Sequence, residues 1–354
     1  MTEVRLMKGN EAIAEAAILA GCRHYFGYPI TPQNEIIEHM ARRMPEVGGV
    51  CLQAESEIAA INMVFGAAAA GARAMTSSSS PGISLKQEGI SYLACAELPC
   101  LIVNIMRAGP GLGGIAPAQG DYFQATRGGG HGDYHTIVLA PHSVQESFDM
   151  TIQAFELADR YRIPVLLLGD GALGQMMEKV EWKPWRPQMI PKPWATTGLR
   201  GRRQNNIVKT LILTPEELEE QNRKLQDKYR SITEREPLWE ESHTEDADLI
   251  LVAYGIMARI AQSAMDLARA KGLRAGMLRP RTLWPFPMKA LKDTAKQARA
   301  FLVLELSAGQ MLEDVLLSVE HAKPVHFYGR MGGMVPGARE ILDQILAISG
   351  KESD

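Results

Sequence analysis

Four short stretches of this 354-residue chain carry the side chains best suited to chemistry. In "YFGYPITPQNEI", residues 25–36, Pro29 and Pro32 bracket Ile30 and Thr31. Proline fixes its own φ and disfavours the helical region for its predecessor, so Tyr28 and Thr31 are held extended at the mouth of a helix expected from Pro32 to Met44. The Thr31 hydroxyl can cap that helix or face a carboxylate ligand, because free N–H groups at a helix N-terminus favour anions. In "QAESEIAAINMVFGAAAAG", Glu55 and Glu57 open a helix of otherwise small and apolar residues. Glu55 suits a first-turn acid that complements the helix dipole. Glu57 lies four residues before Ile61 and seven before Val64, so it shares their inward stripe. A carboxyl group in apolar surroundings holds its proton more tightly and can share it with a ligand nitrogen.

The third stretch is "TSSSSPG", residues 76–82, which joins a strand to a helix. The hydroxyls of Ser79 and Ser80 and the N–H groups behind Pro81 suit either plain turn chemistry or the reception of an anion. In the fourth, Arg107 ends an apolar strand and opens the glycine-dense run "RAGPGLGGIAPAQGDYFQATRGGGHGD". Such a loop permits close backbone approach to a ligand or to a second chain. Arg107 is placed either to grip a carboxylate with both ends of its guanidinium or to pair with a local aspartate.

The elements that must position these residues alternate. From Asn10, expected as a helix cap, short strand-like runs and helix-period runs follow one another, which indicates a parallel sheet with helices on both faces and a functional edge at the strand C-termini. This first unit is expected over residues 1–180. Residues 181–245 read as a linker carrying Trp182, Trp185 and Trp194, too much tryptophan for a free tether, and a charged helix with Thr214 as N-cap, Pro215 at its first position and Glu217 closing a capping box. The α/β rhythm restarts over 246–354 as a smaller unit.

Composition narrows the function. With 46% hydrophobic and 22% charged residues and a net charge of -3, the chain is that of a globular protein without a broadly basic, nucleic-acid-binding surface. Cys22, Cys51, Cys95 and Cys100 form no CxxC, so a disulfide framework or a zinc or iron–sulfur ligand set is not expected, and any metal cluster must come from elsewhere. His131 and His135 sit on the glycine-rich loop without further ligands in step. The N-terminal stretch lacks a signal-peptide pattern and no run is long enough to span a bilayer, so a cytoplasmic location without membrane insertion is expected. "GDGALG", with Asn205 and Asn206 beyond it, imitates the metal and diphosphate signature of thiamine enzymes, but the Pro/Trp-rich stretch separates its two parts.

Taken together, "YPITP", the block "QAESEIAAI…GAAAAGARAMTSSSSPG", "GDGALGQMMEKVE" and the later "AYGIMARIAQSAMDLARAKGLRAGMLRPRTLWPFP" closely resemble the α subunit of 2-oxoacid:ferredoxin oxidoreductases, most closely the VorB type assigned to branched-chain substrates. The resemblance spans nearly the whole chain. It implies a thiamine-diphosphate-fold pyrimidine domain followed by a transketolase-C-terminal-like domain. It implies further that Glu57, nine residues before Gly66, meets the ring nitrogen N1′ of the cofactor, with Glu55 in reserve. Tyr28, Pro29, Ile30 and Thr31 would then face the substrate, Arg107 its carboxylate, and Ser79, Ser80 and Pro81 the cofactor. No metal ligand is implied in this chain. Mg²⁺ and a [4Fe–4S] cluster belong by resemblance to a β subunit that shares the thiamine diphosphate, and a separate γ subunit and a ferredoxin-like δ subunit complete the complex. Coenzyme A is the cosubstrate and ferredoxin the electron acceptor. The expected reaction converts a 2-oxoacid, 2-oxoisovalerate or another branched-chain acid first and 2-oxoglutarate next, to acyl-CoA and CO₂. Two other readings are a non-catalytic scaffold or regulatory subunit, and a self-sufficient thiamine enzyme using Asp170 and Asn205 for its metal.

Overall fold

The computed structural model of the chain describes residues 3–182, 187–199, 201 and 204–350. A seven-stranded sheet has the order Thr282–Trp284, Ile137–Leu139, Pro164–Asp170, Cys100–Met106, Ala74–Ser78, His24–Gly27, Val50–Gln53. Its strands are parallel except Thr282–Trp284, which runs antiparallel to Ile137–Leu139. The central strands Cys100–Met106 and Pro164–Asp170 are buried along their whole length, which explains why they read as unbroken apolar runs. Successive side chains on a strand point to opposite faces. Ile102, Leu166 and Leu168 therefore pack with Ile61, Val64 and Ile83 of the helices Glu57–Ala69 and Ser80–Cys95, while Leu101, Val103 and Leu167 pack with Ile13, Met40 and Phe155 of Gly9–Leu19, Asn34–Arg43 and Val144–Tyr161.

A five-stranded sheet has the order Val325–Gly329, Ala300–Glu305, Leu249–Val252, Ala275–Pro280, Trp239–Ser242, with the last strand antiparallel. Its residues Ile250, Val252, Phe301 and Val303 join the same hydrophobic cluster as Ile102 and Leu166 of the first sheet. We propose the division 1–180, 181–245 and 246–354 as the domain description, with two crossings: Trp239–Ser242 extends the second sheet, and Thr282–Trp284 returns to the first.

Several local expectations are corrected. Glu3–Lys8 is a strand paired antiparallel with Met177–Trp182, so the chain is already ordered before Asn10. Asn10 lies inside the first helix and does not cap it; its Nδ2 donates to Pro32 O at 2.8 Å. The helix expected from Pro32 starts at Asn34, because a turn closed by Gln33 N to Ile30 O at 3.1 Å intervenes. Thr214 occupies the N-cap position of Pro215–Arg235 but its side chain makes no cap bond, so the capping box with Glu217 does not form. The linker is laid against the body. Arg5 covers Trp182 at 4.3 Å, Arg162 covers Trp194 at 4.5 Å, and Leu225, Tyr229 and Ile232 of the charged helix enter the core. Trp185 lies outside the described residues.

Candidate active site

The four stretches meet at the C-terminal edge of the seven-stranded sheet. Ser56, extended at φ −160°, caps the helix Glu57–Ala69 by accepting from Ala59 N at 3.2 Å, so Glu57 becomes the first helical residue and Glu55 falls outside. The outcome separates the two acids: Glu57 is 6% exposed and Glu55 is exposed. The Glu57 carboxyl lies against Gly82 and Ser78 at the start of the helix Ser80–Cys95; a Cβ on residue 82 would fall 2.7 Å from Glu57 Oε1 and also collide with Ser78 Oγ. Glycine at 82 therefore lets the carboxyl reach this position. Among the described residues no ion pair or side-chain hydrogen bond holds the Glu57 carboxyl.

Beside it lies a cation absent from the sequence-based site. Lys86 is fully buried, and its Nζ donates to Thr76 Oγ1 at 2.9 Å and Ser77 O at 3.0 Å. Burial pulls its proton affinity down to about 7, against the attraction of Glu57. The signal was available: Ile83, Lys86, Ile90 and Leu93 form one buried helical stripe, the same spacing that marks Glu57.

The serines divide by use. Ser79 holds the N-cap position at φ −131° and ψ 144° without a cap bond, and Ser78 Oγ and Ser79 Oγ are buried with no partner. Unpartnered buried hydroxyls are costly, and they fit a site completed by a ligand. Ser80 is committed: its Oγ donates to Asp121 Oδ2 at 2.6 Å and accepts from Arg107 N at 3.0 Å, while its own N donates to Asn104 Oδ1 at 3.1 Å. Pro81 is half-buried as the second helical residue.

Arg107 is 8% exposed and ties two loops together. Nη1 donates to Thr31 O and Nη2 to Leu112 O, each at 3.0 Å, while Nε is buried without a partner. The pairing of Arg107 with a local aspartate is not seen among the described residues. Thr31 is exposed and caps no helix; the N-cap position belongs to Gln33. Tyr28 and Pro29 are also exposed and Ile30 is half-buried. The backbone beneath them is nonetheless pinned. Gln33 Nε2 donates to Tyr28 O at 3.2 Å, Ser77 Oγ donates to Gln33 Oε1 at 2.5 Å, and Gln175 Nε2 donates to Pro32 O at 3.1 Å. The result is a rigid loop with its side chains free. Gln33, Ser77 and Gln175 were not singled out by the sequence, because their partners are distant in the chain.

The imitation thiamine signature is put to another use. Asp170 is 1% exposed; Oδ1 accepts from Ala172 N and Leu173 N at 3.0 Å each, and Oδ2 accepts from Ile256 N at 3.3 Å. Burial raises this carboxyl to about 6 despite those donors. Asn206 donates to Ala195 O at 2.8 Å, and Asn205 is exposed. A sealed Asp170 and an exposed Asn205 make no common metal site, which removes the footing of a self-sufficient enzyme. No cluster of three or more His, Cys, Asp and Glu suited to a metal occurs among the described residues. The residues present thus fit the aminopyrimidine end of thiamine diphosphate, through Glu57 and the unpartnered Ser78 and Ser79 hydroxyls, and no metal-ligand cluster accompanies them among the described residues.

The profile of the family "Pyruvate flavodoxin/ferredoxin oxidoreductase, thiamine diP-bdg" matches residues 15–236, and that of "Pyruvate:ferredoxin oxidoreductase core domain II" matches 247–341. The ketoisovalerate oxidoreductase subunit VorB of Methanothermobacter marburgensis is 51% identical over 351 residues, covering 99% of each chain. The 2-oxoglutarate synthase subunit KorA of the same organism is 37% identical over 375 residues, covering 98% of this chain and 100% of that one. Among solved structures, the 2-oxoglutarate:ferredoxin oxidoreductase of Magnetococcus marinus, with 2-oxoglutarate, coenzyme A and succinyl-CoA bound, superposes with a TM-score of 0.85 at 28% identity, over 97% of this chain and 65% of that chain. A split-gene transketolase, an inactive β4 tetramer, shares the fold at a TM-score of 0.59 and 14% identity. With both profiles aligned on its two sheets and relatives matched end to end, the chain belongs to the pyruvate flavodoxin/ferredoxin oxidoreductase family, as a 2-oxoacid:ferredoxin oxidoreductase subunit.

Proposed function

We propose that this chain supplies the aminopyrimidine half of a thiamine diphosphate site and the substrate-facing loop of a 2-oxoacid:ferredoxin oxidoreductase. The overall reaction takes a 2-oxoacid, coenzyme A and two oxidised ferredoxins to acyl-CoA, CO₂, a proton and two reduced ferredoxins. The observation that carries this reading is the buried Glu57 carboxyl, held by no counter-ion contact among the described residues and packed on Gly82 beside two unpartnered serine hydroxyls. When bound, thiamine diphosphate supplies the electron sink for cleaving the bond between the oxo carbon and the carboxylate.

The chain's own residues then have distinct tasks. Glu57 shares a proton with the ring nitrogen N1′, an interaction that gains strength where water is excluded. The Thr31 hydroxyl, on its pinned loop, faces the oxoacid. Arg107, with a free Nε and no carboxylate partner, provides positive charge for the substrate carboxylate while holding the Thr31 and Leu112 loops in register. Ser79, Ser78 and the backbone near Pro81 line the ring. Ile30, Leu112 and Ile115 are apolar residues on the two loops, and together with the ketoisovalerate specificity named for the VorB relatives they favour a branched-chain acid, with 2-oxoglutarate second.

The partners follow from what the chain lacks. A β subunit that carries the diphosphate, Mg²⁺ and a [4Fe–4S] cluster would close the cleft. The uncovered apolar residues Val50, Leu52, Ile58, Leu112 and Ile115 around it suit such a cover. A γ subunit, a ferredoxin-like δ subunit and a cytoplasmic setting complete the proposal; no helix among the described residues is long and apolar enough to cross a membrane. Purification of the tagged chain with its companions, followed by coenzyme A-dependent viologen reduction, tests it. The expected order of kcat/KM is 2-oxoisovalerate, then 2-oxoglutarate, then pyruvate. A chain that purifies without a cysteine-rich companion, or a complex inactive on all three acids, would overturn the proposal and favour a scaffold.

A further inference from the structure

A lysine ammonium taken out of water is costly unless hydrogen bonds and a counter-charge surround it. Among the described residues Lys86 donates hydrogen bonds only to neutral acceptors, Thr76 Oγ1 and Ser77 O, so the compensating charge must come from elsewhere. The charged group acting on it is Glu57, and its action is attractive. Packing explains why. The helices Glu57–Ala69 and Ser80–Cys95 approach closely at two glycines: Gly82 accommodates the Glu57 carboxyl, and Gly89 accommodates Ile61, whose Cγ2 would lie 2.5 Å from a Cβ there. Lys86 stands between these two contacts on one helix, as the turn from Glu57 to Ile61 does on the other. Thr76 and Ser77 precede Ser78 on their strand. The amine therefore lies toward the interior, and the carboxyl, packed on Ser78, lies toward the open edge where a ring would enter.

We propose that Lys86 is a positioning residue for the ring-nitrogen contact: its buried amine, fixed on Thr76 and Ser77, attracts the Glu57 carboxyl packed on Gly82 and so holds it oriented toward N1′. The attraction between an amine's positive charge and a carboxyl group is strong in a water-poor site. An apolar residue at position 86 would remove that attraction. The inference rests on the assignment of Glu57 to the ring nitrogen.

The test uses the assembled complex with Lys86→Met, close in length and uncharged, and Lys86→Arg, which retains the charge. Two quantities are read: the split between kcat and the Kd of thiamine diphosphate, and the near-ultraviolet circular dichroism of the bound aminopyrimidine against pH. For Lys86→Met, kcat should fall about tenfold or more, while the Kd changes less than about threefold. The dichroic titration should move, and Lys86→Arg should return it toward wild type. Wild-type kcat and an unmoved titration in Lys86→Met would show that Lys86 only fills space. If Lys86→Met fails to assemble, Glu57→Gln gives the other end of the same coupling. Loss of the carboxylate should lower the pH at which isotope-labelled Lys86 titrates, and an unchanged Lys86 titration would overturn the proposal. An inactive Glu57→Gln beside a normal Lys86→Met sinks only this inference; an active Glu57→Gln sinks the reading beneath it.

Discussion

At the C-terminal edge of the five-stranded sheet, the buried Glu305 carboxylate accepts from Ser307 Oγ at 2.8 Å and from Met311 N and Leu312 N at 2.9 Å each. At the same edge of the seven-stranded sheet, Ser78 Oγ, Ser79 Oγ and Arg107 Nε are buried with no partner, and Glu57 makes no ion pair among the described residues. The two edges follow the same parallel α/β plan. One satisfies its acid internally, capping the helix Gln310–Val319; the other leaves buried polar groups without partners. Buried polar groups in proteins are ordinarily paired, so the contrast supports the proposal that the first sheet carries the chemistry and the second has a supporting part.

The most severe way to break the contrast is to neutralise each acid. Glu57→Gln should lower turnover of the complex by about 10²–10⁴-fold, the range for loss of a proton-sharing group, with little change in melting temperature. Glu305→Gln should do the reverse, costing about 1–3 kcal/mol of stability through an imperfectly paired cap while turnover of the folded fraction is retained. Stopped-flow viologen reduction and thermal melts of the two variants, side by side, decide this.

Next in size is Arg107→Lys, which keeps the charge and loses the planar fork. A fall of about 10–100-fold in kcat/KM for the oxoacid, carried mostly by KM, is expected because both the proposed contact with the substrate carboxylate and the Thr31–Leu112 staple depend on that geometry. Asp170 sharpens the comparison through pH. Its folded-state value of about 6 lies above the ordinary 3.8, because burial outweighs the backbone donors. Its contribution to stability is therefore complete below pH 3.8 and is lost as pH rises through about 6. Asp170→Asn should flatten that part of the stability profile, as followed by denaturant midpoints across the window. Smallest of all, Glu55→Gln should leave stability within about 0.5 kcal/mol and activity unchanged, since its carboxyl is exposed.

Much of this was legible in the chain because it depends on local periodicity. The strand and helix alternation, the inward stripe that buries Glu57, and the two prolines that stiffen the Thr31 loop all involve residues within a few positions of one another. Other features have no local signature. Arg107 reaches Thr31 across 76 positions, and Ser80 reaches Asp121 across 41. In a run of four serines, nothing local tells the committed hydroxyls of Ser77 and Ser80 from the free ones of Ser78 and Ser79. The ribbon of Glu3–Lys8 with Met177–Trp182 joins opposite ends of the first unit, and four of its first six positions are exposed, which hides the strand. Lys86 lies on as clear a stripe as Glu57, yet long lysine stems commonly carry their charge back to water, so spacing alone does not distinguish a buried amine. The thiamine-like "GDG" misleads for a related reason: an aspartate at a strand end is equally suited to a metal and to the N-terminus of the next helix, and here the backbone donors of Ala172 and Leu173 take it.

The central claim is a single contact, and the most direct measurement is a high-resolution structure of the purified complex with thiamine diphosphate bound. The expected result is a Glu57 carboxyl oxygen within about 2.6–3.2 Å of the ring nitrogen N1′, with Ser78 and Ser79 facing the ring and another subunit gripping the diphosphate. A ring nitrogen met by some other acid, or a Glu57 carboxyl turned away from the cofactor, would contradict it.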